Sequence, residues 1–93
     1  MRTIKRTSAF KRDFKREKKG RHQKTLEAEL VAVITVIATD GTLDDRHHDH
    51  TLVGEWHDHR DCHIKPDLVL IYRTTDDHGL DLVRLGSHSE LGL

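Results

Sequence analysis

The sequence predicts an α+β fold in which two N-terminal helices pack on one face of a small antiparallel sheet. Three observations carry this expectation. Apolar residues before Asp40 recur at helical spacing. The second half holds short apolar runs bounded by turn residues. The connections between those runs are short, and short connections favour antiparallel pairing because a parallel return needs a long crossover. At 93 residues the chain makes a single domain, residues 1–93, with one small core. A domain of this size buries only about two-thirds of its unfolded surface.

The elements follow in order. Arg2 to Thr7 reads as a short strand with Thr3 and Ile4 near its middle. Ser8 occupies an N-cap position, and Phe10 and Phe14 follow at helical spacing as the main anchors of a thinly apolar first helix. Gly20 is its stop. Thr25 opens a second helix, with Glu27 and Glu29 in the first turn, where the helix dipole favours them. Leu26, Leu30, Val33, Ile34 and Ile37 form one stripe along it. The β-branched run Val31 to Ile37 also suits a strand, but the length of the periodic segment favours a helix that ends at Asp40-Gly41. Thr42 to Thr51 has no apolar period and reads as a loop. Three strands are expected after it: around Arg60 to Ile64, bounded by Lys65-Pro66; from Asp67 to Arg73; and from Leu80 to Leu85, after a turn at Asp77-His78-Gly79.

A formal net charge of zero hides a strong asymmetry. Met1 to Thr25 carries eleven Lys/Arg against Asp13 and Glu17, a charge of +9, and the remainder carries −9. Such a basic arm suits an anionic partner, RNA or an acidic protein, or else only solvates a helix face. No run of roughly 18 apolar residues is present, so no membrane span is expected. Met1 leads directly into Arg2, Lys5 and Arg6 without an apolar signal core, so the expected location is cytoplasmic. Cys62 is the single cysteine, which excludes an internal disulfide and, by itself, a finger-type zinc site.

Nine histidines stand out, eight of them between His47 and His88. Side chains alternate along a strand, so Cys62 and Ile64 share one face while Asp61 and His63 share the other. With the apolar pair turned to the helices, Asp61 and His63 lie on the exposed face of the sheet. By the same parity Val83 and Leu85 face the helices, while Arg84, Gly86 and, in extended geometry, His88 face the other way. His50 ends the preceding loop at the border of that surface. RNA cleavage needs such groups: a base for the attacking 2′-hydroxyl, an acid for the leaving 5′-oxygen and a cation for the phosphate. Imidazoles serve both proton transfers near neutral pH without a metal. The alternative reading is metal binding, because His47-His48-Asp49-His50, His57-Asp58-His59 and Cys62-His63 are dense in ligands. Their spacing matches no well-defined tetrahedral motif, so no metal or cofactor is assigned. Trp56 and Tyr72 read as packing residues.

Asp49-His50 is followed by Leu52, Gly54 and Trp56, then by Arg60-Asp61-Cys62-His63-Ile64-Lys65-Pro66-Asp67, Leu68 to Tyr72, and Arg84-Leu85-Gly86-Ser87-His88-Ser89-Glu90-Leu91. Over these residues the C-terminal half resembles the YafQ branch of the RelE/ParE toxin superfamily, and the N-terminal half matches it in layout. The resemblance implies a curved sheet holding an RNA site, ribosome-dependent cleavage of mRNA, and a cognate antitoxin as protein partner. By position, His50, His63, Asp67 and His88 match the family's catalytic histidines and aspartate, and Asp61 matches a residue implicated with them. Arg84 is added as the candidate transition-state cation on parity and on the position of arginine in related toxins. One departure is Gly92, where the family commonly has a phenylalanine that contributes to the site; Leu93 then ends the sequence. A second functional class on the same fold, the non-enzymatic gyrase-poisoning inhibitors, needs no acid–base pair.

Overall fold

The computed structural model describes residues 1–20 and 22–93. In chain order it has β1 (Thr3–Arg6), α1 (Ser8–Lys18), α2 (Leu26–Ala38), β2 (His50–Thr51), β3 (Arg60–Lys65), β4 (Leu68–Thr74), β5 (Gly79–Gly86) and α3 (His88–Leu91). Two single 3-10 turns lie at Asp45–His47 and Gly54–Trp56. The strands form one sheet of order β1-β5-β4-β3-β2. The β2–β3, β3–β4 and β4–β5 pairs are antiparallel, as the short connections require. β1 lies parallel to β5 at the edge, with Thr3 opposite Gly79 and Arg6 opposite Leu82. The parallel pair is possible because both long helices lie in the connection that leads from β1 into the rest of the sheet.

β4 is buried from Leu68 to Tyr72 on both faces, as a central strand covered on two sides must be. On one face Leu68, Leu70 and Tyr72 join Cys62, Ile64, Leu80, Leu82 and Leu85. Phe10 of α1 and the stripe Leu26, Leu30, Val33 and Ile37 of α2 complete this core. The other face carries a smaller apolar cluster: Val69, Ile71 and Leu91, with Leu52, Trp56 and Val83 against it. That face is therefore partly covered by α3 and the 52–56 loop.

Several local expectations are corrected. Thr7, not Ser8, caps α1, its hydroxyl accepting from the Phe10 amide at 3.0 Å. It does so while its own amide donates to the Leu82 carbonyl, so one residue ends β1 and starts the helix. The segment 42–51, expected as loop, contains a 3-10 turn and the short β2. Val83 does not share the helix-side face with Leu85. The register slips between Ile71, opposite Arg84, and Tyr72, opposite Leu82, which leaves Val83 as a bulge residue turned to the second cluster. Simple alternation fails across a bulge because an inserted residue exchanges the faces. His88 is not extended. Ser87 and Glu90 form a reciprocal capping box that starts α3 at His88.

α1 is fixed to the sheet by a buried carboxylate. Beyond Leu82, β5 has no strand on its outer side, because β1 ends at Arg6. Asp13 accepts the Leu85 amide at 3.0 Å and Arg16 donates to the Leu85 carbonyl at 3.0 Å, so two side chains take the place of a missing strand. Asp13 also accepts from Arg84 at 2.7 and 3.3 Å and from Arg16 at 3.2 Å. Burial alone raises its pKa. The Arg84 hydrogen bond, the Leu85 amide and the two guanidinium charges outweigh burial and hold it below the ordinary carboxylate value. Of the cations in the basic arm, Arg21 lies outside the described residues. Lys11, Arg12, Lys15 and Lys18 of α1 are exposed, while Arg16 is drawn into the Asp13 network.

Replacing Asp13 should test this joint. Asp13→Ala leaves Arg84 and the Leu85 amide without their acceptor, and should cost about 2–4 kcal/mol in denaturant unfolding. Because the folded pKa is depressed, the wild-type contribution is complete above the unfolded carboxylate value of about 4 and disappears as pH falls through the folded one. The Asp13→Asn protein should lack that part of the acid-side loss. Equal acid profiles for wild type and Asp13→Asn would refute the assignment.

Candidate active site

The site is built at the β2–β3 edge and the start of α3. β3 runs through the sheet with Cys62 and Ile64 turned into the helix-side core, and this turns Asp61 and His63 to the opposite face. Lys65 fixes the far end of β3 to α2, donating to Glu29 at 2.9 Å and Thr25 at 2.7 Å. Asp49 fixes the approach to β2. It accepts from the Tyr72 hydroxyl at 2.6 Å and from Arg60 Nε at 3.2 Å, so the chain reaches His50 from a defined position. β2 then pairs His50 with Asp61.

Three imidazoles meet on this face. The His63 and His88 rings lie edge to face with centroids 4.9 Å apart, and the His48 ring lies tilted against His63 at 5.1 Å. His50 Nδ1 is 2.7 Å from the His48 carbonyl and 3.0 Å from Asp61 Oδ1. The carbonyl takes the aligned proton, so Asp61 Oδ1 has a close imidazole but no aligned hydrogen bond. His88 Nδ1 donates to Asp67 Oδ1 at 2.9 Å, and the His88 amide points to the same oxygen at 3.2 Å. Carbonyl and carboxylate oxygens only accept, so in both His50 and His88 the proton sits on Nδ1, and the neutral rings keep the lone pair on Nε2.

The electrostatics follow from burial and crowding. Partial burial, with the neighbouring His88, His48 and His50 charges, pulls the His63 pKa below its ordinary value; Asp61 opposes this. Asp61 itself is buried, only 2% exposed, and not on an open surface as parity alone suggested. Burial raises its pKa, and the three nearby histidines His50, His63 and His88 oppose the rise. The second apolar cluster explains the difference, since the 52–56 loop and α3 cover the face on which Asp61 lies. A cavity of about 670 Å³ opens beside it, lined by His50, Asp61, Trp56, His88 and Leu93 among others.

The six sequence candidates are thus not all in one place. His50, Asp61, His63, Asp67 and His88 are linked by the contacts above. The guanidinium of Arg84 bonds Asp13 on α1, and its electrostatic neighbours are Asp13, Arg16 and Glu90 rather than the imidazoles. Parity set the Arg84 face but not the direction of a long side chain at the sheet edge. Gly92 has φ +71° and closes α3 as its left-handed C-cap, a conformation that disfavours an aromatic side chain there. Leu93 reaches the cavity in its place. Sequence reasoning missed His48 and His47. Only their abundance marked them, and the contact with His63 depends on a left-handed residue that no spacing rule reveals. Cys62 is buried in the core, where burial pushes its thiol well up and keeps it unreactive. Among the described residues, no three His, Cys, Asp or Glu side chains are placed to hold a metal ion together. No described helix is long and apolar enough to cross a membrane.

Comparison with known proteins places this arrangement. The family model described as bacterial toxin of type II toxin-antitoxin system, YafQ, matches residues 2–92. The mRNA interferase toxin YafQ of Escherichia coli strain K12 is 46% identical over 43 residues, covering 46% of each chain. The chain spans about half the length of the curated relatives it matches. A copper-bound mutant toxin from Helicobacter pylori superposes with a TM-score of 0.85 at 36% identity, over 98% of this chain and 99% of the other. YafQ from the E. coli DinJ-YafQ complex superposes with a TM-score of 0.78 at 30% identity, over 98% of each chain. With the family model matching nearly the whole chain and the whole fold shared, this chain belongs to the YafQ family of bacterial toxins of type II toxin–antitoxin systems.

Proposed function

We propose that the chain is an endoribonuclease that cuts mRNA on the ribosome by metal-independent acid–base catalysis and is silenced by a cognate antitoxin. The observation that carries this reading is the His63–His88 pair with its carboxylate partners. In the reaction, the 2′-oxygen loses its proton to a base as it bonds to phosphorus, and the bond to the 5′-oxygen breaks as that oxygen takes a proton from an acid. His63 suits the base, because its lowered pKa keeps it unprotonated near neutrality. His88 suits the acid, because Asp67 compensates the charge of its imidazolium. His50 lies within the same group as a second acid–base residue, with Asp61 behind it. The exposed cations of α1 supply attraction to phosphates of the ribosomal and messenger RNA. Arg84 reaches the phosphate only by exchanging its Asp13 bonds, so its contribution to the transition state is the weakest element of the six. The E. coli relative bound to DinJ favours an antitoxin partner here as well, and a segment that folds on binding can wrap the exposed cations of α1.

Cleavage of mRNA in a translation extract tests the site. His63→Ala and His88→Ala should each lower the rate about 10²-fold or more, the range of a proton-transfer group, while His57→Ala, on an exposed loop, should cut normally. The His63 base must be deprotonated to act and its pKa is depressed. Activity should therefore persist below the ordinary histidine value of about 6.5 and fall only as pH drops further. Near wild-type rates for both alanine variants would end this reading.

Zinc-selective chelation, with magnesium retained for the ribosome, should leave the rate unchanged, since the side chains supply both proton transfers. Loss of cleavage that added zinc restores would transfer the chemistry to a metal.

Co-expression with the neighbouring gene product should yield a complex that weakens as salt rises, because the arm's charges are exposed. A chain that is non-toxic when expressed alone and retains no partner on purification contradicts the toxin assignment.

A further inference from the structure

His47 and His48 stand outside the matched motif, yet the fold brings both against β3. His47 Nδ1 donates to the His63 carbonyl at 2.7 Å. His48 sits at φ 47°, ψ 43°, in the left-handed region that residues other than glycine adopt uncommonly, asparagine, aspartate and histidine more often than the rest. Asp44 caps the 3-10 turn before it through the Arg46 amide at 3.1 Å, and the His48 amide closes the turn on Asp45. This geometry has two consequences in one residue. The His48 carbonyl accepts the Nδ1 proton of His50 at 2.7 Å, and its ring rests 5.1 Å from that of His63.

We propose that His48 is a positioning residue of the site: its left-handed backbone turns its carbonyl to His50 and its imidazole to His63, fixing the tautomer of the first and the ring orientation of the second. The carbonyl leaves the neutral His50 ring with its lone pair on Nε2. The ring packs against His63, which also touches the His88 ring, so that a turn of His63 must displace a neighbour. The inference rests on the proposed function, because positioning matters only if these rings handle protons.

The charges around His63 come from every element that packs on it. Asp61 and Lys65 share its strand, His88 reaches it from α3, and His48 and His50 from the loop and β2; Glu29 and Arg46 line the groove beyond His48. Of these, His88, His48 and His50 disfavour a charged His63 while Asp61 favours it. Removing the His48 ring takes away one repulsive charge and admits water. Both changes move the His63 titration upward.

The test uses His48→Gly and His48→Asn, both compatible with a left-handed backbone. Nitrogen-15 and carbon-13 NMR of the imidazoles in the free toxin reads pKa and tautomer without RNA. In both variants the His63 titration should shift up, and His50 should keep its proton on Nδ1, since the backbone carbonyl is retained. mRNA cleavage should fall on the order of tenfold, as loosened positioning costs less than loss of the proton-transfer group itself. The acidic limb of the rate profile should move up with the His63 titration. An unchanged His63 titration and an unchanged acidic limb in both variants would overturn the inference. So would a shift in only one of them, because the effect would then belong to the replacement and not to the lost ring. Should the wild-type chain prove unable to cut mRNA, the functional reading fails, while the titration of His63 still reports whether His48 controls it.

Discussion

The carboxylate of Asp13 lies where the basic N-terminal helix, the open end of β5 and the route to the site meet. β1 is too short to cover β5 beyond Leu82, which leaves the Leu85 amide and carbonyl facing neither a strand nor open water. Buried backbone groups without partners are costly, so a substitute is required. Asp13 and Arg16 provide it, one for the amide and one for the carbonyl, from adjacent turns of the same helix. The next residues after Leu85 are Gly86 and Ser87, which open α3 and deliver His88. Arg16 also lies 3.5 Å from Glu90, the residue that completes the α3 cap. The position of His88 is therefore set from α1, on the far side of the sheet edge, as much as from its own strand.

The imidazole group shows how a crowded site is ordered by inexpensive contacts. His47, His50 and His88 each spend Nδ1 on an oxygen that only accepts: the His63 carbonyl, the His48 carbonyl and Asp67. Each bond fixes a ring plane and a tautomer together. His63 is ordered by contact with the His48 and His88 rings. Crowding also sets the chemistry, because like charges at this spacing cannot all be present at once. Protons bind to the group as a set, and apparent pKa values read from rates will belong to the set. Asp61 contributes here from within the protein: a buried carboxylate beside His50 is a countercharge that solvent does not screen.

Gly92, where the family pattern has an aromatic residue, ends α3. The capping box at Ser87 and Glu90 opens α3, which runs for a single turn, and the chain leaves it at Gly92 in a left-handed conformation. Glycine accepts that conformation at low cost; a bulky aromatic residue does not. Gly92 and Leu93 both border the cavity with His50 and His88.

By itself the sequence determined the elements and their faces wherever a short-range periodicity governs them. The α2 stripe from Leu26 to Ile37 and the division of β3 into Cys62/Ile64 against Asp61/His63 follow from repeats of 3.6 or 2 residues, and the turn at Asp77 to Gly79 from its turn-forming residues. The motif, Asp49-His50 with Arg60 to Asp67 and Arg84 to Leu91, also carried the candidate residues that contacts later joined, with the exception of Arg84. What only the tertiary structure decided depends on partners distant in sequence. The parallel seat of β1 needs β5, more than seventy residues away. The Val83 bulge exchanges faces without altering composition. Asp61 is buried because α3 and the 52–56 loop return over it, and Arg84 turns to Asp13, 71 positions earlier. His48 entered the site through one left-handed residue. Periodicity records the surroundings of a residue along its own element, whereas these outcomes are set by which other element arrives beside it.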